Sequence, residues 1–205
     1  MLPLFEMLIS EDLNNDSEVY AVAGVDKPAI GEIALKFSEG NIAKLDFATV
    51  QQEERILIGA AMIPNLPIFR TAESMQGISN TDCNVFYTAE TIQKAAVKFF
   101  AKGYQGAFNT MHSDVLEPNA VVFFMSFIKD EAKGIAGLKG DYPNGTWFLG
   151  GKVISDKVWA DVQSGLIKGW SVEGKFKMVQ QPQIEQDFSD EQTIEKIKLM
   201  LKPNI

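Results

Sequence analysis

One cysteine, one histidine and no long apolar run set the first limits on this chain of 205 residues. The lone thiol of Cys83 closes no internal disulfide, and one Cys with one His falls short of a structural zinc site. No metal or other cofactor is expected, and a reducing cytoplasm is the simplest setting. Cations are scarce as well: 19 Lys and Arg stand against 27 Asp and Glu, for a net charge of −8. That balance argues against a sequence-independent binder of nucleic acid, which needs clustered cations to displace counterions from phosphates. The most apolar stretches, 56–63 and 120–128, are far shorter than the ~20 residues of a membrane span. The start of the chain lacks the positive, then apolar, pattern of a secretory signal. The expectation is a soluble intracellular protein with no membrane partner.

The remaining composition, 46% hydrophobic and 22% charged, is that of an ordinary globular domain. Alternation from Glu18 to Val25 reads as a strand. Further strands are expected over 32–37, 42–50 and 55–63. The run from Thr71 to Asp82 reads as a loop, and Cys83 is placed in it. Thr88 is placed to cap a helix to about Lys102, with Ile92, Ala95, Ala96 and Phe99 on one face and Gly103 at its end. Ala120–Ile128 is apolar on both faces, as in a central buried strand. A strand at 147–154, a short helix capped by Ser155 and stopped by Gly165, and a strand at 169–178 follow. The fold class is α+β and β-rich, in a curled sheet or barrel with two short helices. Residues 1–179 form the domain; 180–205 read as a linker and an amphipathic helix, opened by the capping box Ser189–Gln192.

Chemistry has few places to sit. Any Ser–His or Cys–His pair must use His112, which lies in the polar stretch Asn109–Asp114 between a helix and an apolar strand. In Gly169–Phe176 alternation puts Trp170, Val172 and Phe176 on one face and Ser171, Glu173 and Lys175 on the other. A serine on the open face of a well-packed strand presents its hydroxyl to solvent from a rigid backbone, as a nucleophile requires. Glu173 stands where a nucleophile elbow needs its second glycine, and no phosphate-binding loop is present. Cys83 has no positive neighbour in its loop to lower its pKa, so it is the weaker nucleophile.

Three ordered segments resemble the tailed-phage prohead serine proteases, most closely the XkdF-like branch. They are Val19–Ala29; Phe86–Ala96, followed by Met111-His112; and Gly145–Val153, followed by Val158-Trp159 and Ile167–Gly174. The last looks like the family's G-x-S-[IV]-x-G signature, and the resemblance covers roughly 18–178. It implies a herpesvirus-protease-like β-barrel with flanking helices. It also implies a serine endopeptidase of capsid maturation in the host cytoplasm, inside assembling procapsids. The implied partners are capsid and scaffold proteins, with a homo-oligomer among those allowed, and self-cleavage is expected. Ser171 would be the nucleophile and His112 the base that takes its proton. The third member is sought after the serine, at Asp187 or Glu185, because Glu173 lies close to Ser171 along one strand. Some relatives carry a carboxylate in the strand corresponding to 120–128, where this chain has Phe124 and Met125. That departure supports a second reading: a weak or inactive enzyme, or a structural or scaffold-associated capsid component that keeps the fold.

Overall fold

A computed structural model describes residues 2–26, 47, 49–51, 53–75, 79–138 and 141–182. The strand expected at 32–37, most of the one expected at 42–50, the C-terminal helix, and both Glu185 and Asp187 lie outside the described residues. Eleven strands and two α-helices are described: β1 (Leu4–Leu8), β2 (Glu18–Val25), β3 (Thr49–Gln51), β4 (Ile56–Met62), β5 (Ile68–Arg70), β6 (Cys83–Tyr87), α1 (Ala89–Ala101), β7 (Phe108–Thr110), β8 (Val121–Ile128), β9 (Trp147–Val153), α2 (Asp156–Gln163), β10 (Gly169–Lys175) and β11 (Lys177–Gln180). The α+β, β-rich class holds.

The barrel does not. Among the described residues the strands form three sheets, ordered β11-β1-β6-β5, β10-β2-β7 and β3-β4-β9-β8, and none is closed. Closure requires every edge to find a partner. Here β3, β5 and β7 are three residues long and end the ladders they join. β8 is one such edge, not the central strand its two-sided apolarity suggested. It carries a bulge between Phe123 and Met125, and Phe124 is left 54% exposed. The neighbouring β9 accepts β8 closely because Gly151 has no side chain: a Cβ there would stand 2.7 Å from Val121.

The helices follow the local signals. The Thr88 hydroxyl accepts from Thr91 N, which satisfies one free donor of α1, and Gly103 turns the chain at φ 76°. Ile92, Ala95 and Phe99 enter the core from its inner face. Lys98 lies on that face too, 1% exposed, and donates to the carbonyls of Ser10, Asn15 and Ser17. Three carbonyl acceptors replace the water that burial removes. They tie α1 to the turn that leads into β2. Ser155 caps α2 in the same way as Thr88 caps α1. Among the described residues no helix is long and apolar enough to cross a membrane.

The middle sheet positions the site. β2 is its central strand, paired antiparallel with β10 and parallel with β7. Its ladder with β10 slips by one residue: Glu173 faces Ala21 while Gly174 faces Val19, which leaves Tyr20 as the extra residue of a bulge. The insertion lets Val19 and Val22 both reach the core, where each is fully buried. Gly174 is required opposite the bulge, because a Cβ there would lie 2.4 Å from the Glu18 carbonyl oxygen, a backbone atom with little freedom to yield. Gly174→Ala is therefore expected to cost about 1–3 kcal/mol through overpacking and to lower Tm by roughly 2–10 °C, read by thermal unfolding. An unchanged Tm would mean that the bulge tolerates a side chain.

Candidate functional site

β10 is held from behind by Trp170, the residue before Ser171. The indole is buried, donates to the Leu149 carbonyl at 3.2 Å, and meets the rings of Phe47 and Phe123 with centroids 4.4 and 5.1 Å away. Alternation then turns Ser171 and Glu173 onto the opposite face. Ala23 stands opposite Ser171, Ala21 opposite Glu173, and Asn109 of β7 stands level with Ala23. The face therefore reads, from β10 across β2 to β7, as functional groups, methyls and an amide.

His112 reaches this face through a tight turn after β7. Met111 and His112 both adopt left-handed backbone, at φ 56° and 57°. Met111 N continues the ladder to the Gly24 carbonyl, and Ser113 N closes onto the Thr110 carbonyl. Left-handed backbone costs a non-glycine residue on the order of 1–2 kcal/mol, and such strain gathers at sites where a side chain must be aimed. Here it aims the imidazole across the sheet. His112 Nδ1 lies 2.8 Å from Glu173 Oε1, and Asn109 Nδ2 donates to the same oxygen at 2.8 Å. A carboxylate only accepts, so the ring must carry its proton on Nδ1; in the neutral ring this leaves Nε2 as the basic nitrogen. The His112 side chain is 47% exposed and that of Glu173 17%.

Ser171 is not solvent-facing as expected. It is 6% exposed, because β2 pairs along one side and the end of β4 closes over the other. With Met62, Ile63, Ile68, Arg70 and Tyr87 it lines a cavity of about 20 Å³, room for roughly one water. Burial pushes the Tyr87 phenol up to about 12 against the opposing charge of Arg70, so the phenol remains a donor. Among the described residues no hydrogen bond joins the Ser171 hydroxyl to the His112 ring. Cys83 is not in a loop: it opens β6, fully buried, and pairs with Arg70 of β5. Burial raises its thiol pKa, with the nearby Arg70 charge opposing, so a positive neighbour exists but an accessible thiolate does not. Among the described residues no group of three or more His, Cys, Asp or Glu side chains is placed to hold a metal.

The family model described as "putative phage serine protease XkdF" matches residues 46–180. The chain belongs to that family. No curated protein and no solved structure gives a significant match. The XkdF-family match contains β3 through β11, and so takes in Asn109, His112, Ser171 and Glu173; β1 and β2 precede it. Of the residues singled out in the sequence, the structure sets Ser171 and His112 on one side of the middle sheet. Sequence reasoning passed over Glu173 because two residues along a strand looked too close to Ser171. The signal was nevertheless present: Ser171 and Glu173 share a face by alternation, and the two alanines of β2 leave that face low.

Tyr20, at the bulge, offers an independent check on the carboxylate. Its phenol pKa is raised from the ordinary value of 10, first by burial and then by the negative charge of Glu173. A negative neighbour disfavours the phenolate, so Glu173→Gln should lower the Tyr20 midpoint part of the way, with the effect of burial remaining. The Tyr20 Cζ chemical shift followed against pH reports it. An unmoved midpoint would show that the Glu173 charge does not face Tyr20.

Proposed function

We propose that this XkdF-family protein is a serine endopeptidase of phage capsid maturation that cleaves capsid or scaffold segments, and itself, inside the assembling procapsid. Ser171 is the nucleophile, His112 the general base, and Glu173 takes the orienting role sought at Asp187 or Glu185. The observation that carries this reading is the 2.8 Å contact from His112 Nδ1 to Glu173 Oε1 on the face that bears Ser171. A serine hydroxyl at its ordinary pKa is a poor nucleophile and needs a base for its proton. With Nδ1–H directed to the carboxylate, Nε2 is free to take that proton as Oγ attacks the scissile carbonyl. The imidazolium then gives the proton to the leaving amine, and water releases the acyl group from Ser171 by the reverse sequence. The exposed ring has freedom to close on the hydroxyl when substrate arrives, and catalytic hydrogen bonds commonly tighten at that stage.

One observation favours the second reading, a capsid component that keeps the fold without the activity: Ser171 is a buried residue, and its hydroxyl makes no hydrogen bond to His112. A fluorophosphonate probe separates the two, since it labels only an activated serine. Wild-type protein is expected to label at Ser171, and Ser171→Ala to lose all labelling and all cleavage of capsid or scaffold protein. Ser171 is a small residue, and among the described residues no side-chain hydrogen bond depends on its hydroxyl, so that variant should hold its stability to within about 1 kcal/mol. Glu173→Ala should slow labelling on the order of 10²–10⁴-fold, as loss of an orienting carboxylate does elsewhere. Failure of the wild type to label would favour the structural reading, and prohead maturation at the normal rate by Ser171→Ala would remove Ser171 as nucleophile.

A further inference from the structure

Asn109 is a buried polar side chain of this face that the proposed mechanism leaves without a task. It sits in the middle of β7 and is 0% exposed. Its Nδ2 donates to Glu173 Oε1, the same oxygen that His112 Nδ1 approaches. Its own Oδ1 is buried with no hydrogen-bond partner, the only such side-chain atom among the described residues. An orphaned buried acceptor is unfavourable and calls for an explanation. Rotating the amide by half a turn supplies no remedy, because the Oδ1 would then face a carboxylate that accepts and never donates. The amide therefore keeps its N–H on Glu173 while its carbonyl goes unpaired.

We propose that Asn109 is the positioning residue of Glu173: it holds the carboxylate over β2 so that His112 Nδ1–H finds its acceptor. The inference deepens the triad reading and rests on it. Glu173 is rooted on β10, whereas His112 follows β7, two strands away in the sheet. A glutamate side chain has three rotatable bonds, and one contact to a half-exposed imidazole is a weak restraint on them. A second donor, fixed on a strand and wholly buried, selects the rotamer that crosses the sheet. The alanines at 21 and 23 leave that path open, and Asn109 stands level with Ala23, one row from the Glu173–Ala21 pair. Glu173 is the carboxylate that meets the ring; of the acidic residues that follow His112 in sequence, Asp114 and Glu117, the Glu117 carboxylate accepts from the Thr110 hydroxyl at 2.8 Å.

The single histidine makes the test direct, because ring nitrogen signals in the full chain can come only from His112. In the neutral ring, ¹⁵N shifts should report the Nδ1–H tautomer for the wild type. Asn109→Leu keeps the approximate shape of the side chain and removes the donor. It is expected to move the ring toward the Nε2–H tautomer that free imidazole side chains prefer, as Glu173→Ala does. The double variant Asn109→Leu/Glu173→Ala should show no shift beyond Glu173→Ala alone, since Asn109 acts through Glu173. A wild-type tautomer in folded Asn109→Leu, or a further shift in the double variant, overturns the proposal. Should Asn109→Leu not fold, the Asn109 side-chain amide signals decide the matter in Glu173→Ala. Loss of the charge-assisted bond should move them upfield, and unmoved signals overturn the assignment. Fluorophosphonate labelling separates this from the catalytic reading. If the wild type labels, Asn109→Leu should slow it by about tenfold or more. If the wild type does not label, the protease reading fails, and the tautomer still decides whether Asn109 positions Glu173.

Discussion

The burial of Trp170 is the constraint on which the site depends. Its indole crosses from the middle sheet to the third, where it bonds the Leu149 carbonyl of β9 and lies edge-on to Phe123 of β8. On its other flanks are Phe47 and Phe108. Aromatic contacts of this kind add about 0.5–1.5 kcal/mol each beyond the area they bury, so rotation of β10 about its own axis would give up several at once. A strand cannot slip by one residue without exchanging its faces. With Trp170 fixed in the core, Ser171 and Glu173 are fixed on the other side. The core thereby sets the geometry of groups it does not touch.

On that other side, precision comes from two local departures from regular structure. The bulge at Tyr20 resets β2 so that its alanines face the site while Val19 and Val22 serve the core. The consecutive left-handed residues Met111 and His112 turn a strand end into a pointer. Neither is favourable alone. Both are sustained by what surrounds them: Gly174 gives the bulge its room, and the Met111 N to Gly24 carbonyl bond anchors the turn. Rigid strands with strain confined to one turn suit a site in which a few ångströms decide whether a proton can pass.

Much of this was legible in the residues and some was not. Helix α1 carried its own start, stripe and stop, so Thr88, Ile92, Phe99 and Gly103 located it. The same held for α2 between Ser155 and Gly165. Ser171 and His112 stood out because the chain has one histidine and one serine in a G-x-S strand. The division into open sheets was not legible, because alternation describes the faces of a strand and says nothing of which edge it meets. β8 misled for a related reason: it is apolar on both faces, yet it is an edge strand with Phe124 exposed at a bulge. The burial of Ser171 was hidden too, since the end of β4 that closes over it lies more than a hundred residues away in sequence.

The place of β2 shows why the local sequence around the site understates it. The family match begins at residue 46, after β2 has ended, yet β2 is the strand that β7 and β10 share. Its contribution at the site is a hydrogen-bonded backbone and two methyl groups, which many small residues could supply. What the proposed chemistry needs from β2 is lowness: a larger side chain at 21 or 23 would stand between Glu173 and the two donors on the far side. The proposed function therefore depends on an absence of bulk in a strand that supplies no catalytic group of its own. Such a dependence leaves no motif, and it becomes visible only when the three strands lie side by side.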